Sequence, residues 1–119
     1  MKKAESSRTT KKQPDIKIFL IFGRRLKYEI RSSLTGQFKK DLKLSQKQGK
    51  DVDKLFAVVE KLANGEPLDD KYRDHTLTGD YKGCRECHIE PDWLLVYEIF
   101  DDMLVLLLNR VGSHSELFK

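Results

Sequence analysis

Alternation comes first at residues 26–31, where "LKYEIR" puts Leu26, Tyr28 and Ile30 on one face and Lys27, Glu29 and Arg31 on the other. Period two predicts a half-buried strand. The period then lengthens. Leu34, Phe38, Leu42 and Leu44 recur at near-helical spacing, while Lys39, Lys40, Lys43 and Lys47 fall mostly elsewhere on the helix surface. Ser32 and Ser33 stand before this run as N-cap oxygens, and Gly49 ends it. Asp51 or Asp53 caps a second helix, carried to about Ala63 by Val52, Leu55, Phe56, Val59 and Leu62. Asn64-Gly65 supplies a left-handed stop and Pro67 confirms the break. So short a connection between the helices predicts an antiparallel hairpin.

No period persists from Glu66 to Lys82, yet Tyr72, His75 and Leu77 are too many semi-apolar anchors for a free linker. Three strand-like runs follow: Cys84 to Ile89, Trp93 to Phe100 and Met103 to Asn109. "EPD" and "DD" separate them, which predicts an antiparallel meander. The second and third runs are nearly all apolar, so one face of the sheet is expected to be buried against the helix pair. The chain ends in "RVGSHSELFK", a turn into a short helical or extended tail. The fold class is α+β: an N-terminal strand and helix hairpin packed on an antiparallel β-sheet.

At 119 residues the chain has room for one core. Residues 1–25 read as an N-terminal extension, at least partly disordered, because "MKKAESSRTTKKQPD" is basic and almost without apolar residues. Residues 26–119 are then the domain. Charge sharpens this division. Residues 1–27 hold nine Lys/Arg against two acids, whereas residues 28–119 hold fourteen against seventeen. The net charge of +4 is therefore an N-terminal property and not a nucleic-acid footprint of the body. "IKIFLIF" is too short for a membrane span, and the "GRRLK" after it is no export cleavage site. The expected location is the cytoplasm, with no membrane partner and reduced thiols.

Cys84-Arg85-Glu86-Cys87-His88 matches C-x-x-C-H, the spacing that attaches a c-type haem and that also offers three zinc ligands. A cytoplasmic location weighs against haem attachment. A lone C-x-x-C lacks the partner pair of a structural zinc site.

The other reading of the same stretch starts from His88. All three histidines, His75, His88 and His114, lie after the helices with Asp92, Trp93, Arg110 and Phe118. A meander returns the end of its third strand to the level of the end of its first, so these groups can converge. Histidines with a carboxylate and an arginine suit metal-free RNA scission. The ribose 2′-OH must lose a proton, the leaving 5′ oxygen must gain one, and imidazole titrates near neutral pH. A guanidinium offsets charge on the phosphoryl oxygens. Taken singly, each feature also has a plainer reading: a loop histidine at the surface, a core tryptophan, lysines on a solvated helix face. Three histidines and an aspartate also leave a zinc hydrolase open.

Three segments in order resemble the YafQ branch of the RelE/ParE toxin superfamily. They are D-H-x-L-x-G at Asp74 to Gly79, R-[DE]-x-H-[IV]-x-P-D-W at Arg85 to Trp93, and R-x-G-[ST]-H-x-x-L-F at Arg110 to Phe118. The resemblance covers about Leu26 to Lys119, and Cys84 departs from it where an aromatic residue is common. It implies a RelE-like fold and the toxin of a type II toxin–antitoxin pair. It further implies a ribosome-dependent endoribonuclease that cuts translated mRNA in the A site without metal or cofactor, lysine codons being a known preference. By matching motif, His75, His88, Asp92 and His114 would form the acid/base and transition-state set, with His114 favoured for proton transfer. Trp93 and Phe118 would position substrate, and Arg110 would stabilise charge. Lys39, Lys40, Lys43, Lys47 and Lys50 become candidate ribosomal RNA contacts. The implied partners are a DinJ/RelB-like ribbon-helix-helix antitoxin, the 70S ribosome and mRNA, with promoter DNA reached only through the antitoxin. Two rivals remain: a non-catalytic gyrase inhibitor of the ParE kind on the same scaffold, and a metal- or haem-binding protein centred on Cys84 and Cys87.

Overall fold

The computed structural model describes residues 26–118, and the expectations for residues 1–25 lie outside them. Strand β1 spans Glu29–Ser32, helix α1 Gln37–Lys47 and helix α2 Val52–Ala63. Short strand β2 (His75–Thr76), β3 (Arg85–Glu90), β4 (Trp93–Phe100) and β5 (Val105–Gly112) follow, then helix α3 (His114–Leu117). The sheet order is β1-β5-β4-β3-β2. The expected antiparallel meander is β3-β4-β5. At its two edges the sheet gains β1, parallel to β5, and β2, antiparallel to β3.

Local signals account for most of these boundaries. Asp51 caps α2 by accepting from the Asp53 amide at 3.0 Å. Past α2, Gly65 adopts φ 76°, and the Glu66 amide reaches back to the Lys61 carbonyl at 3.0 Å. The start of α1 differs from expectation. Ser32 and Ser33 do not cap it, because the chain there is still tied to the sheet: the Ser33 amide donates to the Leu108 carbonyl at 3.0 Å. Gly36 takes the N-cap position in a left-handed conformation, and Thr35 Oγ1 accepts from the Gln37 amide at 3.2 Å. Leu34 is consequently fully exposed and Leu44 partly so, while Phe38 and Leu42 enter the core. β5 also starts later than expected. Met103 and Leu104 form its turn, with Leu104 at φ 55°.

β4 explains why "WLLVY" carries no polar alternation. Trp93, Leu95 and Tyr97 face the helix hairpin, in one core with Phe38, Leu42, Leu55, Val59 and Leu62. Leu94 and Val96 point to the opposite face, where α3 covers them through Leu117, with Leu77, Tyr81 and Phe118 alongside. A strand buried on both faces must be apolar throughout. Each such side chain contributes about 1.5–3 kcal/mol of burial. No helix among the described residues is long and apolar enough to cross a membrane.

Candidate active site

The second sheet face carries the polar cluster. Val96 pairs with Glu86 on one side and Arg110 on the other, and Glu86 pairs in turn with His75. One row across the sheet therefore reads His75, Glu86, Val96, Arg110. In the next row Leu94 pairs with both His88 and Gly112, so α3 begins about two strand spacings, roughly 10 Å, from His88. The convergence expected from the meander is realised in this register.

His75 and His88 meet at a carboxylate that the sequence reading did not single out. Glu86 is buried, and its Oε1 lies 3.3 Å from His75 Nε2 and 3.7 Å from His88 Nε2. The two rings are 6.3 Å apart. At these distances the contacts become ion pairs only when the rings are protonated at Nε2. His75 Nδ1 lies 2.7 Å from the Arg73 carbonyl and His88 Nδ1 lies 3.2 Å from the Pro91 carbonyl. A carbonyl only accepts, so Nδ1 carries the hydrogen and Nε2 is the basic nitrogen of each neutral ring. Both basic nitrogens thus face Glu86. The i, i+2 spacing of Glu86 and His88, which puts both on one face of a strand, is the sequence signal for this pairing.

Asp74 fixes the approach to His75. Its Oδ1 accepts from Tyr97 Oη at 2.6 Å and from Arg85 Nε at 3.2 Å. Burial, with the Asp74 carboxylate next, pushes the Tyr97 phenol well above its ordinary range, so it stays a donor.

Asp92 and His114 are joined through the backbone: Asp92 Oδ1 accepts from the His114 amide at 2.9 Å. The carboxylate thereby pins the start of α3 to the turn that follows His88. His114 is exposed, and its ring meets Phe118 edge-on at 5.0 Å, with Phe118 in turn 5.4 Å from Tyr81. Helix α3 is held by a capping box: Ser113 Oγ accepts from the Glu116 amide at 3.2 Å, and Glu116 Oε1 accepts from the Ser113 amide at 2.8 Å. Gln48, the C-cap of α1, donates to Glu116 Oε2 at 2.9 Å.

The Ser113 amide, and then Gln48, hold the Glu116 carboxyl below its ordinary value of about 4.3. Its contribution to α3 is therefore complete above that value and is lost as pH falls through the lower folded one. Protection of the Leu117 and Phe118 amides, relative to their intrinsic exchange rate at each pH, should fall on acidification, and Glu116→Ala should lower it already at pH 7. An unchanged acid dependence in the variant would show that another group holds α3.

One expected role changes. Trp93 is not on the site face. It has no exposed surface, lies in the helix-side core, and donates Nε1–H to Ser45 Oγ at 3.0 Å. A side chain enclosed in this way is core and does not touch substrate. Arg110 is also engaged. β1 stops opposite Leu108, leaving Arg110 and Val111 on a free edge that the buried Asp41 covers. Asp41 accepts from Arg110 Nε at 2.7 Å, Arg110 Nη2 at 3.2 Å and the Val111 amide at 3.1 Å. Arg110 Nη1 donates to Tyr81 Oη at 3.3 Å. The guanidinium is thus fixed in place beside the ring stack.

Lys40, Lys43 and Lys47 lie on the solvent face of α1, Lys39 is half-buried, and Lys50 pairs with Glu90 at 3.4 Å. Cys84 is half-buried and Cys87 buried, both as free thiols whose titration burial pushes upward. Such thiols are poor metal or haem nucleophiles.

Residues 30–119 fit the model for "Bacterial toxin of type II toxin-antitoxin system, YafQ". The chain belongs to the YafQ toxin family. The mRNA interferase toxin YafQ of Escherichia coli K12 is 45% identical over 85 residues, 71% of this chain and 90% of the relative. The toxin in the crystal structure of the E. coli DinJ–YafQ toxin–antitoxin complex superposes with TM-score 0.70 at 42% identity, over 79% of this chain and 100% of that one. A metal-bound toxin from Helicobacter pylori superposes with TM-score 0.70 at 49% identity, over 79% and 100% of the two chains. In this YafQ-family chain, no group of three or more His, Cys, Asp or Glu among the described residues is arranged to hold a metal ion. The fold is RelE-like, as the motifs implied.

Proposed function

We propose that this chain is an mRNA interferase, a ribosome-dependent endoribonuclease that cuts translated mRNA in the A site, held in check by a DinJ/RelB-like antitoxin. The observation that carries the reading is the pair of imidazoles converging on buried Glu86, at 3.3 and 3.7 Å, with His114 tied alongside by its backbone amide to Asp92. The 45% identity to an mRNA interferase toxin supports the same reading, and the DinJ–YafQ complex of a 42% identical toxin supports the antitoxin.

In this mechanism one imidazole takes the 2′-OH proton as O2′ attacks phosphorus. The P–O5′ bond then breaks, and a second imidazole gives its proton to O5′. The ends are a 2′,3′-cyclic phosphate and a 5′-OH. His114, exposed on a four-residue helix and free to approach a substrate, is the favoured proton-transfer residue. His75, His88 and Glu86 form the opposing charge set, Asp92 positions His114, and Phe118 offers a ring face to a base. Arg110 acts as a fixed cation. The solvent-facing lysines Lys40 and Lys43, with Lys39, meet ribosomal RNA. Residues 26–119 constitute the toxin domain, and its site of action is the cytoplasm. A gyrase inhibitor would have no use for this imidazole cluster.

The test is a reconstituted translation reaction. Purified protein should cut mRNA only on programmed ribosomes, leave 5′-OH ends, and be silenced by its antitoxin. Equal cutting of free mRNA, or gyrase inhibition without cutting, would overturn the reading.

A further inference from the structure

Beside the imidazole cluster lies a cleft of about 550 Å³ that the mechanism above does not use. It opens between α2, residues 71–73 and the end of β3, where β2 has stopped pairing and the edge of β3 is free. Lys54, Lys71 and Arg73 line it, His88 stands in its wall, and Glu90 is the lone acid in the lining.

The charge balance of this cleft is strongly positive. The Glu90 carboxylate already receives Lys54 at 3.2 Å and Lys50 at 3.4 Å, and these lysines hold it below the ordinary carboxylate range. Among the described residues no carboxylate lies within ion-pair distance of Lys71 or Arg73; Lys71 Nζ rests 5.2 Å from the Tyr72 ring. The neighbouring acids Asp69 and Asp70 do not line the cleft. Since residues 28–119 carry more acids than bases, this local excess is not a reflection of net charge.

Backbone geometry joins the cleft to the site. Arg73 is one of two described non-glycine residues with positive φ, at 51°. That conformation is uncommon for a side chain of this size and persists where surrounding structure dictates it. It sends the Arg73 carbonyl to His75 Nδ1, at 2.7 Å, while its side chain lines the cleft. Thus one turn residue sets the His75 tautomer and supplies a cation, and His88 belongs to both places.

We infer that this cleft is a subsite for a backbone phosphate of single-stranded RNA flanking the phosphate that is cut. The assignment rests on the ribonuclease reading and names where the strand runs: past His88, along the β3 edge, with Lys71 and Arg73 against its phosphates. Cations facing a backbone give sequence-independent, salt-sensitive affinity. The subsite sets register and leaves the chemical step to the imidazoles.

The probe is a fluorescent RNA trinucleotide, 2′-O-methylated throughout so that it cannot be cut, titrated with the full chain at several salt concentrations. Lys71→Gln/Arg73→Gln should weaken binding about tenfold and make the slope of log K against log salt shallower by about 0.7 per cation removed. Lys61→Gln/Lys82→Gln, which removes the same charge at exposed positions outside the cleft, should bind within about twofold of wild type, since the expected loss is confined to phosphate contacts in the cleft. On ribosomes, the cleft variant should need more protein for half-maximal cutting at an unchanged single-turnover rate. Equal binding and slope in the cleft variant, no binding by wild type, or the same loss in the Lys61→Gln/Lys82→Gln variant would each overturn the subsite. Intact RNA binding with weakened antitoxin capture would also overturn it, assigning the cleft to an acidic peptide. If wild type cuts nothing on ribosomes yet the cleft variant loses the trinucleotide, the ribonuclease reading falls and the subsite stands.

Discussion

His114→Ala should lower the single-turnover rate of mRNA cutting by roughly 10²–10⁴-fold, the usual contribution of a positioned general acid or base. Growth arrest on expression should disappear with it. The protein should melt within a few degrees of wild type, because the ring is exposed and packs only edge-on against Phe118, at 5.0 Å among the described residues. Removing the imidazole leaves the helix start intact, since Asp92 holds the backbone amide and not the ring. His88→Ala should fall as far in rate but cost more in stability, as it vacates a half-buried position beside Glu86 and frees the Pro91 carbonyl. Full-rate cutting by both variants would remove the imidazoles from the chemistry. Loss of toxicity with wild-type cutting would place the defect elsewhere, in ribosome capture.

What the sequence disclosed about this site, and what it hid, follows from the range of each interaction. Local rules read well: the Asp51 cap, the Gly65 stop and the three main strands are set by neighbours within a few residues. The row His75, Glu86, Val96, Arg110 depends on strand register, which the alternating pattern constrains, so the convergence of the histidines was legible. The parallel pairing of β1 with β5 was not legible, because two helices and 72 residues separate Ser32 from Val105 and no local signal spans them. Asp41 escaped notice for the same reason. On a helix wheel it is one acid among lysines; only the free edge left where β1 ends turns it into the partner of Arg110 and the Val111 amide. Ser33 looked like a helix cap because the sequence cannot show that its amide is already bound to Leu108.

Trp93→Ala should unfold a large share of the protein rather than merely weaken substrate binding, with a loss of about 3–5 kcal/mol. The motif that carries Trp93 also carries His88 and Asp92, which is why adjacency suggested a shared role; the pleat sends alternate side chains to opposite faces. Trp93 is among the fully buried side chains of the helix-side core, and its Nε1–H meets Ser45, itself 1% exposed. Lys50 Nζ closes over the ring at 5.9 Å. For a domain whose total stability is about 5–15 kcal/mol, that loss is severe and should lower the melting temperature by well over 10 °C. The informative variant is Trp93→Phe. It keeps most of the volume, strands the Ser45 hydroxyl without a donor, and should cost about 1–3 kcal/mol. Adding Ser45→Ala should recover part of that loss, because the stranded group is then gone. Both proteins, once folded, should cut mRNA at rates near wild type. A Trp93→Phe protein with an unaltered melting temperature and a collapsed cutting rate would restore the tryptophan to the substrate and overturn its placement in the core.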